Sequence, residues 1–138
     1  MSMLARFKEI MSSNINALLD KEEDPEKMID QYLRNLNKDL GKVKAETATV
    51  MVEEQRAKRL VDECQDEIAK MDRYAAKSQE AGNESDARKF LEKKALLTAK
   101  LSELQHTHQL SLQNSLQMKQ MHDKLMKEIE EWEKARRS

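Results

Sequence analysis

The side chains best suited to chemistry in this sequence are three histidines, one cysteine and one short acceptor motif. His106 and His108 stand two residues apart, so on a helix they project about 200° from each other and cannot close on one metal ion. His122 comes several turns later, with no cysteine or carboxylate set at zinc spacing beside it. All three read as solvated or seam-edge residues. Cys64 falls on an apolar repeat position and reads as a small buried hydrophobe rather than a nucleophile. Asn83-Glu84-Ser85 spells a glycosylation acceptor, but nothing near the N-terminus resembles a secretory signal that would route it outside the cell. A chain with only two glycines has no phosphate-cradling loop. Long helices also offer no deep pocket for a small-molecule substrate. No catalysis, metal or cofactor is therefore expected.

The elements that would carry these residues follow from composition. With two Gly, one Pro, 37% charged residues and 4% aromatics, the chain has almost no turn chemistry and must be all-α, built from a few long helices. Its 25 basic and 26 acidic residues leave a formal charge of −1, which argues against bulk binding to nucleic acid. A single Cys excludes an intrachain disulfide and fits a reducing compartment. No run of about 18 apolar residues exists that could span a bilayer.

One seam dominates. Stepping by fours and threes from Ile29 gives Leu33, Leu36, Leu40, Val43, Thr47, Val50, Glu54, Ala57, Val61, Cys64, Ile68, Met71 and Ala75, of which only Thr47 and Glu54 are not apolar. That spacing marks a coiled-coil stripe, which needs a partner helix to bury it. Asp24-Pro25-Glu26 starts the helix: a capping carboxylate, a proline that needs no N–H, and an acid at the positive end of the dipole. Gly82-Asn83 ends it, giving a predicted helix over 25–81. Ser85 is expected to cap a second helix over 86–137.

Two helices of matching length joined by a short turn predict an antiparallel coiled-coil hairpin over 25–138. Paired residue numbers should then sum to about 165, within a turn. Leu101 is expected opposite Cys64, and Trp132 opposite Leu33. The second seam reads Phe90, Leu97, Leu101 and Leu104, blurs through His108, Ser111, Gln113 and Ser115, and resumes with Met118, Leu125, Ile129 and Trp132. The blur predicts a locally loose, register-shifted core; the alternative is a second contact surface carrying Leu110, Leu112 and Leu116. Glu54→Lys58, Glu130→Lys134 and Glu133→Arg137 have the favourable order for pairing along one helix. Glu54, the charge on the first seam, reads as a register device or subunit contact.

Residues 1–20 form a separate domain, joined by a polar hinge over 21–24. On a helical wheel Met3, Leu4, Phe7, Ile10, Met11, Ile15 and Leu18 share one face, while Ser2, Arg6, Glu9, Ser12, Ser13 and Asn16 fall on the opposite face and Lys8 lies near the boundary. Such a helix either packs on protein or lies in a membrane interface. Arg6 and Lys8 contribute about 1 kcal/mol each near an anionic surface. Large apolar side chains contribute roughly 1.5–3 kcal/mol each when fully buried, so insertion dominates.

These residues carry a family resemblance. Arg6-Phe7, Ile10, Asn14-Ile15-Asn16-Ala17-Leu18-Leu19 and Glu23-Asp24-Pro25-Glu26-Lys27 resemble the opening of the phage shock protein A family, which includes the vesicle-inducing protein of plastids and is similar in fold to ESCRT-III. Asp86-Ala87-Arg88 with Leu91-Glu92-Lys93-Lys94 and Leu97-Thr98 resembles the start of that family's second helix. The resemblance implies an envelope-stress scaffold, cytoplasmic and peripheral on the inner face of the cell membrane. It also implies that the N-terminal helix binds anionic phospholipid through its apolar face together with Arg6 and Lys8. Self-association into a homo-oligomer or polymer would support or remodel the membrane. The alternative is a soluble coiled-coil adaptor or regulator, as with members that restrain an AAA+ transcription activator, its N-terminal helix docked on protein. Family members continue past the hairpin into further helices that help knit the polymer, whereas this sequence ends at Arg136-Arg137-Ser138.

Overall fold

The computed structural model describes residues 15–137. Three helices follow in order: α1 (Ile15–Asp20), α2 (Pro25–Glu80) and α3 (Glu84–Arg137). The two long helices pack together as an all-α hairpin, and no strand occurs among the described residues.

The start of α2 follows the sequence closely. Asp24 Oδ1 accepts the Lys27 N–H at 3.2 Å, and the Asp24 carbonyl accepts the Met28 N–H at 3.2 Å. This capping carboxylate satisfies donors that the first turn leaves orphaned. Pro25 occupies the first helical position, and Glu26 lies in the first turn.

The turn at the other end differs from the expectation in one detail. Gly82 takes φ +76°, the left-handed conformation that a side chain resists. Asn83 N–H then reaches the Ser78 carbonyl at 2.8 Å, and Gly82 N–H reaches that of Gln79 at 3.0 Å, which closes the helix in a Schellman arrangement. The cap of α3 is Asn83, not Ser85: Asn83 Oδ1 accepts the Asp86 N–H at 3.1 Å, and α3 begins at Glu84. One residue thus finishes one helix and starts the next, which shortens the predicted connection.

The chain divides into two compact units. The first, residues 1–49 with 115–138, has the thicker core. Ile29, Leu33, Leu36, Leu40 and Val43 of α2 bury against Met121, Leu125, Ile129 and Trp132 of α3. Leu36, Val43, Leu125 and Trp132 are the largest fully buried side chains. Trp132 stacks on Tyr32, with ring centroids 4.9 Å apart and planes 5° from parallel. Such a pair adds about 0.5–1.5 kcal/mol beyond its buried area. Arg136 reaches Asp30 at 3.2 Å in a half-exposed pair. Trp132 was expected opposite Leu33, and the antiparallel register holds.

The second unit, residues 50–114, buries mainly small or slender side chains: Ala57, Val61, Cys64, Met71, Ala75 and Ala87. Val50, Ile68, Phe90, Leu97, Leu101 and Leu104 are half-buried on the seams. Tyr74 tilts against Phe90 at 5.3 Å, and Lys94 pairs with Asp72 at 2.8 Å. Cys64 donates its S–H to the Leu97 carbonyl at 3.4 Å, one turn nearer the loop than the expected Leu101.

Where the apolar pattern blurs, each unit keeps its α3 seam positions inward. In the second unit Leu104, His108 and Ser111 stay on the inward side at unbroken spacing. In the first, Ser115 is buried and Met118 half-buried. The positions persist with polar occupants. Leu110 and Leu116 are about half exposed, while Leu112 is half-buried on the flank.

Candidate functional site

The segment expected to bind lipid falls mostly outside the described residues. Met3, Leu4, Arg6, Phe7, Lys8, Ile10 and Met11 lie before residue 15, and of the Ile15 and Leu18 side chains nothing is described. What the structure does place is the segment's last turn. Helix α1 ends at Asp20, and the Glu22 N–H donates to the Leu19 carbonyl at 3.2 Å, which turns the chain toward Asp24. Leu19, which the wheel did not put on the apolar face, is half-buried and packs against the core of the first unit. Lys21, Glu22, Glu23 and Asp24 are all exposed.

Leu19 packs on the buried cluster that runs from Ile29 to Val43 on α2 and from Met121 to Trp132 on α3. Two features there were not legible as core. Met121, Glu128 and Ala135 recur every seven residues on α3 beside the seam, and they are buried or half-buried. Asp39 of α2 is buried as well. The Glu128 carboxylate accepts the Trp132 Nε1–H at 3.1 Å. Burial holds its pKa above the ordinary glutamate value of 4.5; the Trp132 hydrogen bond opposes that shift, and nearby Glu131 adds to it. A shallow groove that reaches Leu33 of this cluster is lined by Asp30, Leu33, Arg34, Asn37, Glu133 and Arg136. It mixes both signs of charge around one leucine and holds no nucleophile paired with a base.

The other candidates for chemistry are accounted for by their contacts. His108 Nε2 lies 2.9 Å from Glu54 Oε1, both only partly exposed, so Glu54 pairs across the hairpin rather than along α2 with Lys58. An ionised carboxylate only accepts, so the imidazole Nε2–H donates. His122 Nδ1 lies 3.2 Å from Asp123 Oδ1, and His106 is exposed. Cys64 is buried. Among the described residues no three His, Cys, Asp or Glu side chains gather as metal ligands. Among the same residues, no helix is long and apolar enough to cross a membrane.

A family model described as PspA/IM30 matches residues 2–138. A phage shock protein A homolog of Bacillus subtilis is 65% identical over 96% of this chain and 59% of its own length. The membrane-associated protein Vipp1 of Nostoc punctiforme is 35% identical over 71% of this chain and 38% of its own length. A chloroplastic VIPP1 of Oryza sativa is 31% identical over 67% of this chain and 29% of its own length. The chain thus spans 59% or less of the length of these relatives. It belongs to the PspA/IM30 family.

Proposed function

We propose that this chain is a membrane-surface scaffold of the envelope-stress response. Its N-terminal helix binds anionic or stressed lipid, and its hairpin self-assembles to support or remodel the membrane. The observation that carries this reading is the apolar face of residues 3–18, followed by an acidic hinge and rooted through Leu19 on the first unit's core. The hairpin buries its own seams. Names among its relatives, phage shock protein A and membrane-associated protein Vipp1, support the same reading. It needs no catalytic group, cofactor or small-molecule substrate.

Vesicle co-sedimentation tests it. The full chain is expected to pellet with vesicles containing phosphatidylglycerol, and Phe7→Glu with Ile10→Glu is expected to abolish pelleting while helicity stays intact. Undiminished pelleting of that variant would sink the reading.

The seating of Leu19 on protein gives the adaptor alternative its one supporting contact. A peptide of residues 1–20 separates the two by circular dichroism. The scaffold reading expects a coil that becomes helical on vesicles. The adaptor reading expects no response to lipid, with the helix ordered only in the intact chain.

A further inference from the structure

Between Glu103 and Lys119 the sequence carries no Asp, Glu, Lys or Arg, in a chain that is 37% charged. Part of that stretch lies on α3 within the second unit, where Leu104, His108 and Ser111 face inward. The outward residues His106, Leu110 and Gln113, spaced four and three apart, share the opposite face and are exposed, Leu110 by 49%. Thr107, Gln109 and Asn114 beside them are exposed and uncharged.

The outward stripe of α2 in the same unit is different. Arg56, Arg59, Glu63, Asp66, Lys70 and Arg73 follow the same spacing, every one exposed and charged. Charge on the outward positions is what a solvated coiled-coil helix carries. Loss of charge is what marks the centre of a protein interface.

We propose that the His106–Gln113 face of α3 receives the same face of a second copy of this chain, antiparallel and centred on Leu110. The proposal specifies the hairpin contact in the scaffold function above and rests on that reading for its occupant. The chemistry of the stripe fits a copy of itself. Gln, Asn, Thr and His side chains each offer donors and acceptors, so the face is complementary to itself, which a two-fold contact demands. A stripe without formal charge meets its own copy without repulsion, whereas an anionic lipid or nucleic acid would require cations that this stripe lacks. In the antiparallel arrangement Leu110 meets Leu110 of the second copy, and His106 meets its Gln113.

Cross-linking and sedimentation of the full chain, free and on phosphatidylglycerol vesicles, test this. In a Cys64→Ser background, Leu110→Cys is expected to give covalent dimers with a short bis-maleimide, and Arg73→Cys on the charged stripe is expected to stay monomeric. Leu110→Glu with unchanged helicity should weaken self-association at least about tenfold, since it buries a charge without a partner. Three results would overturn the proposal: equal cross-linking at both positions, an unchanged mass distribution for Leu110→Glu, or a chain that stays monomeric throughout. Loss of vesicle pelleting in Leu110→Glu with self-association intact would assign the face to lipid instead, also against the proposal. If the unsubstituted chain failed to pellet while Leu110→Cys dimers formed, the membrane reading would fall and this one would stand.

Discussion

At the scale of single residues, the buried charges say most about how the hairpin balances stability against specificity. Glu128 sits in the first unit's core with its carboxylate accepting the Trp132 N–H, and burial raises its pKa. A carboxyl whose folded pKa is raised loses stability when it ionises. The cost is present in full above the folded value and disappears as pH falls through it toward the ordinary 4.5. Glu128→Gln keeps an oxygen to accept the Trp132 N–H and removes the charge. The variant should therefore melt above the parent at pH 7, and the two melting curves should converge near pH 4. A gap of equal size at both pH values would mean that ionisation is not the cause. The pair Glu54–His108 behaves differently, since each partner compensates the other at 2.9 Å. Replacing one alone leaves a half-buried polar group unmatched, at about 1–3 kcal/mol. Replacing both with leucine should be neutral or stabilising, at the risk of looser register. Chemical denaturation of the two single variants and the double measures the coupling.

At the scale of elements, the loop joining α2 to α3 concentrates its work in two residues. A Cβ at position 82 would meet nothing within 4 Å, so the cost of Gly82→Ala is conformational and comes from φ +76°. It should destabilise by about 1–2 kcal/mol. Asn83→Ala removes the cap of α3 and should cost about 1 kcal/mol. Thermal melts of both, set beside Ser85→Ala as a control with little effect, would show which residue caps the helix. The sequence predicted the helix start at Pro25, the stop at Gly82 and the α2 seam because each rests on local chemistry: a missing N–H, a permitted φ, an unbroken apolar spacing. It misplaced the cap because Ser85 and Asn83 are both competent, and only the length of the turn chooses between them. The α3 seam blurs in the sequence because position on a seam is geometric while apolarity is only its usual sign. His108, Ser111 and Ser115 keep the position without the sign. Asp39 and Glu128 were missed for the same reason, as charged side chains on a flank that the hairpin covers. Of the N-terminal site, the apolar face is legible on a wheel, but the seat of Leu19 depends on where the hairpin core lies in space.

At the scale of the whole molecule, apolar attraction and charge are separated along the chain, and under the proposed scaffold function that separation would set how lipid binding responds to salt. Residues 3–18 carry the large apolar face together with Arg6 and Lys8, and Asp20-Lys21-Glu22-Glu23-Asp24 follows with a net negative charge. The two bases supply about 2 kcal/mol together at low ionic strength, and Glu9 and the acidic hinge oppose them. The apolar face supplies several times more even when each side chain is half buried. Raising salt from about 0.1 M to about 1 M shortens the screening length from about 10 Å to about 3 Å and removes most of the charge contribution. Vesicle affinity should therefore fall by no more than about 30-fold, the factor that 2 kcal/mol represents, and binding should persist. Arg6→Gln with Lys8→Gln should give a similar loss at low salt and little further loss at high salt. Leu4→Ser with Phe7→Ser should abolish binding at both. If high salt instead released the chain completely, the bases would be the principal attachment and the apolar face would be free to dock on protein.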